Sequence, residues 1–123
     1  QGLDELTTTG VSEVGEWRHG RVRRFQVSPE DAGLSRASLD DIRGGDAEEN
    51  AAALRALLAG APGAYRDIVL LNAAAAMVVS DRAETLMDGA ALAAASIDGG
   101  HAAAALETLA RITSTPPEPT SEA

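Results

Sequence analysis

The chain has no cysteine and no lysine, and only 2% of its 123 residues are aromatic. Without cysteine it forms neither a disulfide nor a thiolate metal site, although this leaves the compartment open. Without lysine, all 10 basic residues are arginine. Beside so much alanine and glycine, that choice reads as the coding bias of a GC-rich genome. Scarce aromatics leave alanine and aliphatic side chains to build the core. Alanine buries little apolar area, so the core is shallow per residue and suits closely packed helices. Positive charge is also short, with 10 basic against 19 acidic residues and a formal net charge of −9. That balance repels a polyphosphate backbone and an anionic membrane surface. The longest apolar run, Ile68 to Val79, is interrupted by Asn72 and is too short to span a bilayer. No secretory signal pattern opens the chain. A soluble, cytoplasmic protein touching neither nucleic acid nor membrane is expected.

The length allows one domain, large enough to bury about two-thirds of its unfolded surface. Residues 1–10 read as a loop and residues 11–27 as a β-hairpin turning at His19-Gly20, where glycine supplies positive φ. That register sets Trp17 opposite Val22, Glu16 opposite Arg23 and Val14 opposite Phe25. Apolar residues on both faces predict a hairpin sandwiched within a larger mixed sheet. Ser28-Pro29-Glu30-Asp31 and Ser38-Leu39-Asp40-Asp41 each predict a helical turn.

Four helices should follow. The first starts at Asp46, with Glu49 completing a capping box, carries Leu54, Leu57 and Leu58, and stops at Gly60. The second, about 64–79, is apolar nearly all round and should be the central buried helix. The third starts at Thr85, with Asp88 completing a second capping box, and runs to Asp98-Gly99-Gly100. The fourth aligns Leu106, Leu109 and Ile112 on one face. Residues 114–123, rich in proline, serine, threonine and glutamate, predict a disordered tail.

Asp4 and Glu5 are the residues best suited to direct chemistry. Neighbouring carboxylates between a glycine and a threonine run offer hard oxygen ligands on a backbone able to bend around an ion. Alone, such a pair is usually just solvated. Thr7, Thr8 and Thr9 could donate hydroxyls to a phosphate, but β-branched residues there fit a strand entry better. Gly44-Gly45-Asp46 lacks any phosphate-loop spacing, and its acid would repel phosphate, so it reads as a helix start. Asn72 reads as a satisfied core amide. His19 and His101 are isolated, without metal-ligand spacing. Arg18, Arg21, Arg23 and Arg24 gather on the hairpin without aromatic interleaving, and so read as partners of surface acids.

Three stretches taken together say more: Gly2-Leu3-Asp4-Glu5-Leu6-Thr7-Thr8-Thr9-Gly10, then Gly44-Gly45-Asp46-Ala47-Glu48-Glu49-Asn50-Ala51, then Tyr65-Arg66-Asp67-Ile68-Val69-Leu70-Leu71-Asn72-Ala73-Ala74. In that order and spacing the chain resembles the C-terminal third of an anthranilate phosphoribosyltransferase, over residues 2–112. The resemblance implies an α/β fold of the nucleoside phosphorylase and phosphoribosyltransferase type, with residues 1–113 forming its C-terminal part. It implies Mg²⁺ held by Asp4 and Glu5 in a Gly-x-Asp-Glu loop, neutralising the pyrophosphate of phosphoribosyl pyrophosphate. Gln1 departs from the acid many family members carry before that glycine.

Other family elements are missing from this chain: the Gly-Thr-Gly-Gly-Asp loop, the lysine-containing loop, and the upstream arginine and asparagine that receive anthranilate. The isolated chain is therefore expected to be inactive, and homodimerisation would belong to the family's N-terminal helical domain. Two rivals stand beside this reading. One is a fragment of a pyrimidine nucleoside phosphorylase-like enzyme, which gives a Mg²⁺-binding pair no obvious task. The other is a non-catalytic, protein-binding remnant.

Overall fold

The computed structural model describes residues 3–119. Gln1 and Gly2, the latter the first residue of the expected metal loop, lie outside them. The elements run β1 (Ser12–Arg18), β2 (Arg21–Val27), a 3-10 turn (Pro29–Ala32), a second (Asp40–Ile42), then α1 (Ala47–Leu58), α2 (Ala64–Val79), α3 (Leu86–Asp98) and α4 (His101–Ser114). This is the expected α/β class, one antiparallel hairpin against four helices.

The hairpin takes the register its sequence dictates. His19 and Gly20 have φ of 50° and 76°, the two positive values that match a tight turn to the twist of its strands. Trp17 then pairs with Val22, Glu16 with Arg23 and Val14 with Phe25. Val14 and Phe25 turn inward against the core, and the Arg23 guanidinium sits 4.8 Å from the Phe25 ring centroid. The opposite face is open: Trp17 is 73% and Val22 68% exposed. Among the described residues no further strand covers them.

α2 is the spine. Leu71 and Ala74 are wholly buried, joining the inner hairpin face, Ala32 and Ala90 in one cluster. On the adjoining face of α2, Leu70 joins Leu57, Ala93 and Ile97 in a second. Burial is not uniform along α2, since Val79 at its end is 83% exposed. Small side chains let α3 come close. A Cβ on Gly89 would lie 2.7 Å from the Ala74 carbonyl oxygen and 2.8 Å from its Cα, so only glycine fits there. The N-terminal end of α2 is pinned by Arg66, which donates to both Asp98 oxygens at 2.9 Å. Those bonds raise the Arg66 pKa further.

The helix ends follow local chemistry with two departures. At α1, Asp46 accepts from the Glu49 N–H and the Glu49 carboxylate accepts from the Asp46 N–H, a complete capping box. At α3, Thr85 Oγ1 accepts from the Asp88 N–H, but the Asp88 carboxylate is taken by the Thr85 hydroxyl. The second box is therefore half formed, because the nearer hydroxyl competes with the backbone N–H. The tail boundary also shifts. Ser114 is the last residue of α4; Thr113 and Thr115 donate to the Leu109 and Arg111 carbonyls, prolonging the helix. Residues 115–119 carry no helix or strand. Of the face expected on α4, Leu109 and Ile112 stay exposed.

Gly89→Ala is expected to destabilise the fold by about 1–3 kcal/mol through overpacking against rigid backbone. Gly15→Ala, where nothing stands within 4 Å of the new atom, should cost nothing measurable; thermal unfolding of the two variants checks both. A pH effect follows from Arg36, whose bond to Glu30 holds that carboxyl below the usual carboxylate range. A depressed acid contributes stability above its unfolded pKa and loses it as pH falls through the folded value. The stability difference between the parent and Arg36→Ala should shrink as pH falls from about 7 to about 3, read by denaturant midpoints.

Candidate functional site

The segment from Leu3 to Val11 crosses between the hairpin and α2 without regular hydrogen-bond ladders, so side chains must hold it. They do so at consecutive residues. The Asn72 carboxamide accepts from the Leu6 N–H at 3.0 Å and donates back to the Leu6 carbonyl at 2.9 Å. Its second N–H contact is the Ile68 carbonyl of its own helix, at 3.0 Å. Next, the Thr7 N–H donates to Ser12 Oγ at 3.0 Å. The Thr8 carbonyl then accepts from the Ala37 N–H at 3.0 Å. Leu6 packs against the main core cluster.

Asp4 and Glu5 extend from the fixed end of this segment and are both exposed. They stand at the rim of an open depression of about 590 Å³ that Leu6, Thr7, Ser12 and Asn72 help to line. Glu13 also borders it, but its carboxylate accepts from Gln26 across the strands at 2.6 Å. Among the described residues, no ion pair involves Asp4 or Glu5. No group of three or more His, Cys, Asp or Glu among them could cage a metal. Two free hard carboxylates beside an open space suit Mg²⁺, which takes one or two protein carboxylates and leaves its other positions to phosphate and water.

The other expectations separate here. Thr7, Thr8 and Thr9 do not run directly into a strand: Thr8, Thr9 and Gly10 form a bend, and β1 begins at Ser12. The Thr9 N–H donates to Thr7 Oγ1 at 3.0 Å, and the two hydroxyls lie 2.7 Å apart. Such local hydroxyl bonds compete with ladder formation and keep these residues out of the strand. Thr8 is wholly buried, and its Oγ1 has no hydrogen-bond partner among the described residues. Gly44-Gly45-Asp46 is a helix start, with the Gly45 N–H and carbonyl held by the Asn50 amide at 2.8 and 3.1 Å. On the hairpin, Arg18 pairs with Asp81 and Arg23 with Glu16. His19 lies at the turn and His101 at the start of α4, in separate parts of the fold.

Sequence reasoning treated Asn72 as a core amide with no further part. It is satisfied, but by the very segment that carries the acids. The available signal was its place as the lone amide in an apolar helical run.

A family comparison gives this hairpin-and-helix architecture its class. The model for the glycosyl transferase family, a/b domain, matches residues 1–103, and the chain belongs to that family. Within it, the chain is similar to anthranilate phosphoribosyltransferases. The one from Parvibaculum lavamentivorans is 61% identical over 111 residues, covering 90% of this chain and 32% of the relative. The one from Caulobacter vibrioides is 60% identical over 114 residues, covering 93% and 33%. Two solved structures agree in shape. The anthranilate phosphoribosyltransferase of Thermus thermophilus aligns with a TM-score of 0.78 at 38% identity, covering 88% of this chain and 32% of that one. That of Saccharomyces cerevisiae, solved in complex with 4-fluoroanthranilate, aligns with a TM-score of 0.78 at 28% identity, covering 86% and 31%. The chain thus spans about a third of the length of these proteins.

The orphaned Thr8 hydroxyl generates a prediction. A buried polar group without a partner costs about 1–3 kcal/mol. Thr8→Val, which keeps the shape and removes the hydroxyl, should raise the unfolding free energy by about 1 kcal/mol. Chemical denaturation of the two proteins measures it.

Proposed function

We propose that this chain is the acid-pair-bearing portion of an anthranilate phosphoribosyltransferase, and that Asp4 and Glu5 are its Mg²⁺ ligands. The whole enzyme transfers a phosphoribosyl group from phosphoribosyl pyrophosphate to the amine of anthranilate, a step of tryptophan synthesis. The observation that carries this reading is the exposed, unpaired Asp4–Glu5 carboxylates on a backbone anchored at the next three residues. That arrangement occurs in a chain 61% identical to a protein of that name.

When bound, Mg²⁺ supplies charge neutralisation for a departing pyrophosphate. The chain's own part is to bind and to orient. Asp4 and Glu5 present acceptor oxygens; the tethers at Leu6, Thr7 and Thr8 fix where those oxygens stand. The reaction asks for positioning and electrostatics more than for proton transfer, so the scarcity of acid–base groups around the depression fits the chemistry. The described residues contain no helix long and apolar enough to cross a membrane. The net charge of −9 disfavours polyphosphate and anionic membrane surfaces, and a cytoplasmic enzyme is part of this reading. Homodimer formation belongs to the part of the enzyme outside this chain.

Asp4→Asn combined with Glu5→Gln, made in the intact enzyme, should raise the Mg²⁺ concentration for half-maximal rate by about 10-fold or more and depress turnover. An unchanged Mg²⁺ requirement and unchanged turnover would sink the ligand assignment. The isolated chain should show no anthranilate-dependent release of pyrophosphate, and measurable turnover would overturn its reading as an incomplete enzyme.

A further inference from the structure

The Asp4–Glu5 loop has no strand partner, yet Leu6 makes the pair of backbone bonds a strand partner would give. Both come from one side chain: Asn72 accepts at 3.0 Å and donates at 2.9 Å, like an opposing peptide unit. Asn72 is itself braced, because its carboxamide also donates to Ile68 one helical turn back, at 3.0 Å. It lies between Leu71, wholly buried, and the core residue Ala74, so α2 cannot shift without disturbing the main cluster. The carboxamide also forms part of the wall of the depression that Asp4 and Glu5 border. Asn50 grips Gly45 in the same two-bond manner, but next to no described depression that contains an unpaired acid pair.

We infer that Asn72 is a positioning residue for the acid pair: its carboxamide sets the Leu6 backbone, and through it the angle at which Asp4 and Glu5 meet their cation. This rests on the reading of those two acids as metal ligands. The carboxamide is needed in full. An aspartate keeps the acceptor for Leu6 N–H but loses both donors, and alanine loses all three bonds. The consequence falls on cation binding rather than on the chemical step, since Asn72 touches the backbone of the ligand loop and not the reacting atoms.

Direct Mn²⁺ binding to the intact enzyme, with phosphoribosyl pyrophosphate present and read from the free-ion paramagnetic signal, tests this. Asn72→Ala and Asn72→Asp should each weaken Mn²⁺ by about 10- to 100-fold, the usual effect of losing a group that orients a ligand. Turnover at saturating Mn²⁺ should recover most of the parent value. Leu57→Ala, a core change in the other cluster, should lower the melting temperature and leave Mn²⁺ affinity unchanged. Should Asp4→Asn and Glu5→Gln weaken Mn²⁺ while the Asn72 variants do not, the positioning role is overturned and the ligand reading survives. Should the acid variants bind Mn²⁺ as the parent does, the ligand reading itself fails. Hydrogen exchange in the unmodified enzyme keeps the test open even if the Asn72 variants fold poorly. The Leu6 amide should exchange far more slowly than the amides of Asp4 and Glu5, and equal rates would overturn the proposal.

Discussion

The close contact between α2 and α3 at Ala74 and Gly89 sets the rest of the molecule. A chain with 2% aromatic residues fills little space with any one side chain, so its helices must meet backbone to backbone. Gly89 permits that, since a Cβ there would stand 2.7 Å from the Ala74 carbonyl oxygen. The contact brings Ala90, Ala93 and Ile97 of α3 into the two core clusters. It thereby fixes α2, and α2 presents Leu71 and Ala74 to the hairpin side and Asn72 to the loop.

From that spine the site is built by substitution of side chains for ladder bonds. A loop that presents exposed carboxylates has conflicting needs: those side chains must stay open, and the backbone beneath them must not wander. A β-strand would satisfy the backbone but commit the segment to a sheet. Here an asparagine, a serine and a loop N–H satisfy Leu6, Thr7 and Thr8 in turn, leaving Asp4 and Glu5 exposed. The threonine hydroxyls add local bonds that keep these residues out of β1, which begins at Ser12. The arrangement costs one buried hydroxyl, that of Thr8, which finds no partner among the described residues.

The surface apolar residues fit a chain that spans about a third of its relatives' length. Trp17 and Val22 form a cross-strand pair on the open hairpin face. Val79 closes α2 in the open, and Leu109 and Ile112 do the same on α4. On the hairpin and α2 the other side of the same element packs on the core, whereas α4 buries none of its residues fully.

Most of the local chemistry was legible. Turn glycines, capping residues and cross-strand pairing act within a few residues, so the hairpin register, the α1 capping box and the helix starts follow from sequence alone. The acid pair was legible as two adjacent carboxylates shortly after a glycine, and the structure leaves both exposed. One local detail escaped the sequence: Thr85 and Asp88, three positions apart, form half of a capping box because the hydroxyl takes the carboxylate. What only the tertiary structure decided depends on residues far apart. The threonines, read as a strand entry at the end of a loop, are held in part by Ala37, which lies far along the chain. Asn72 looked like an ordinary core amide because nothing near it in sequence needs its carboxamide. Its partner Leu6 lies 66 positions away, and only the packing of α2 against α3 and the hairpin brings that backbone within reach.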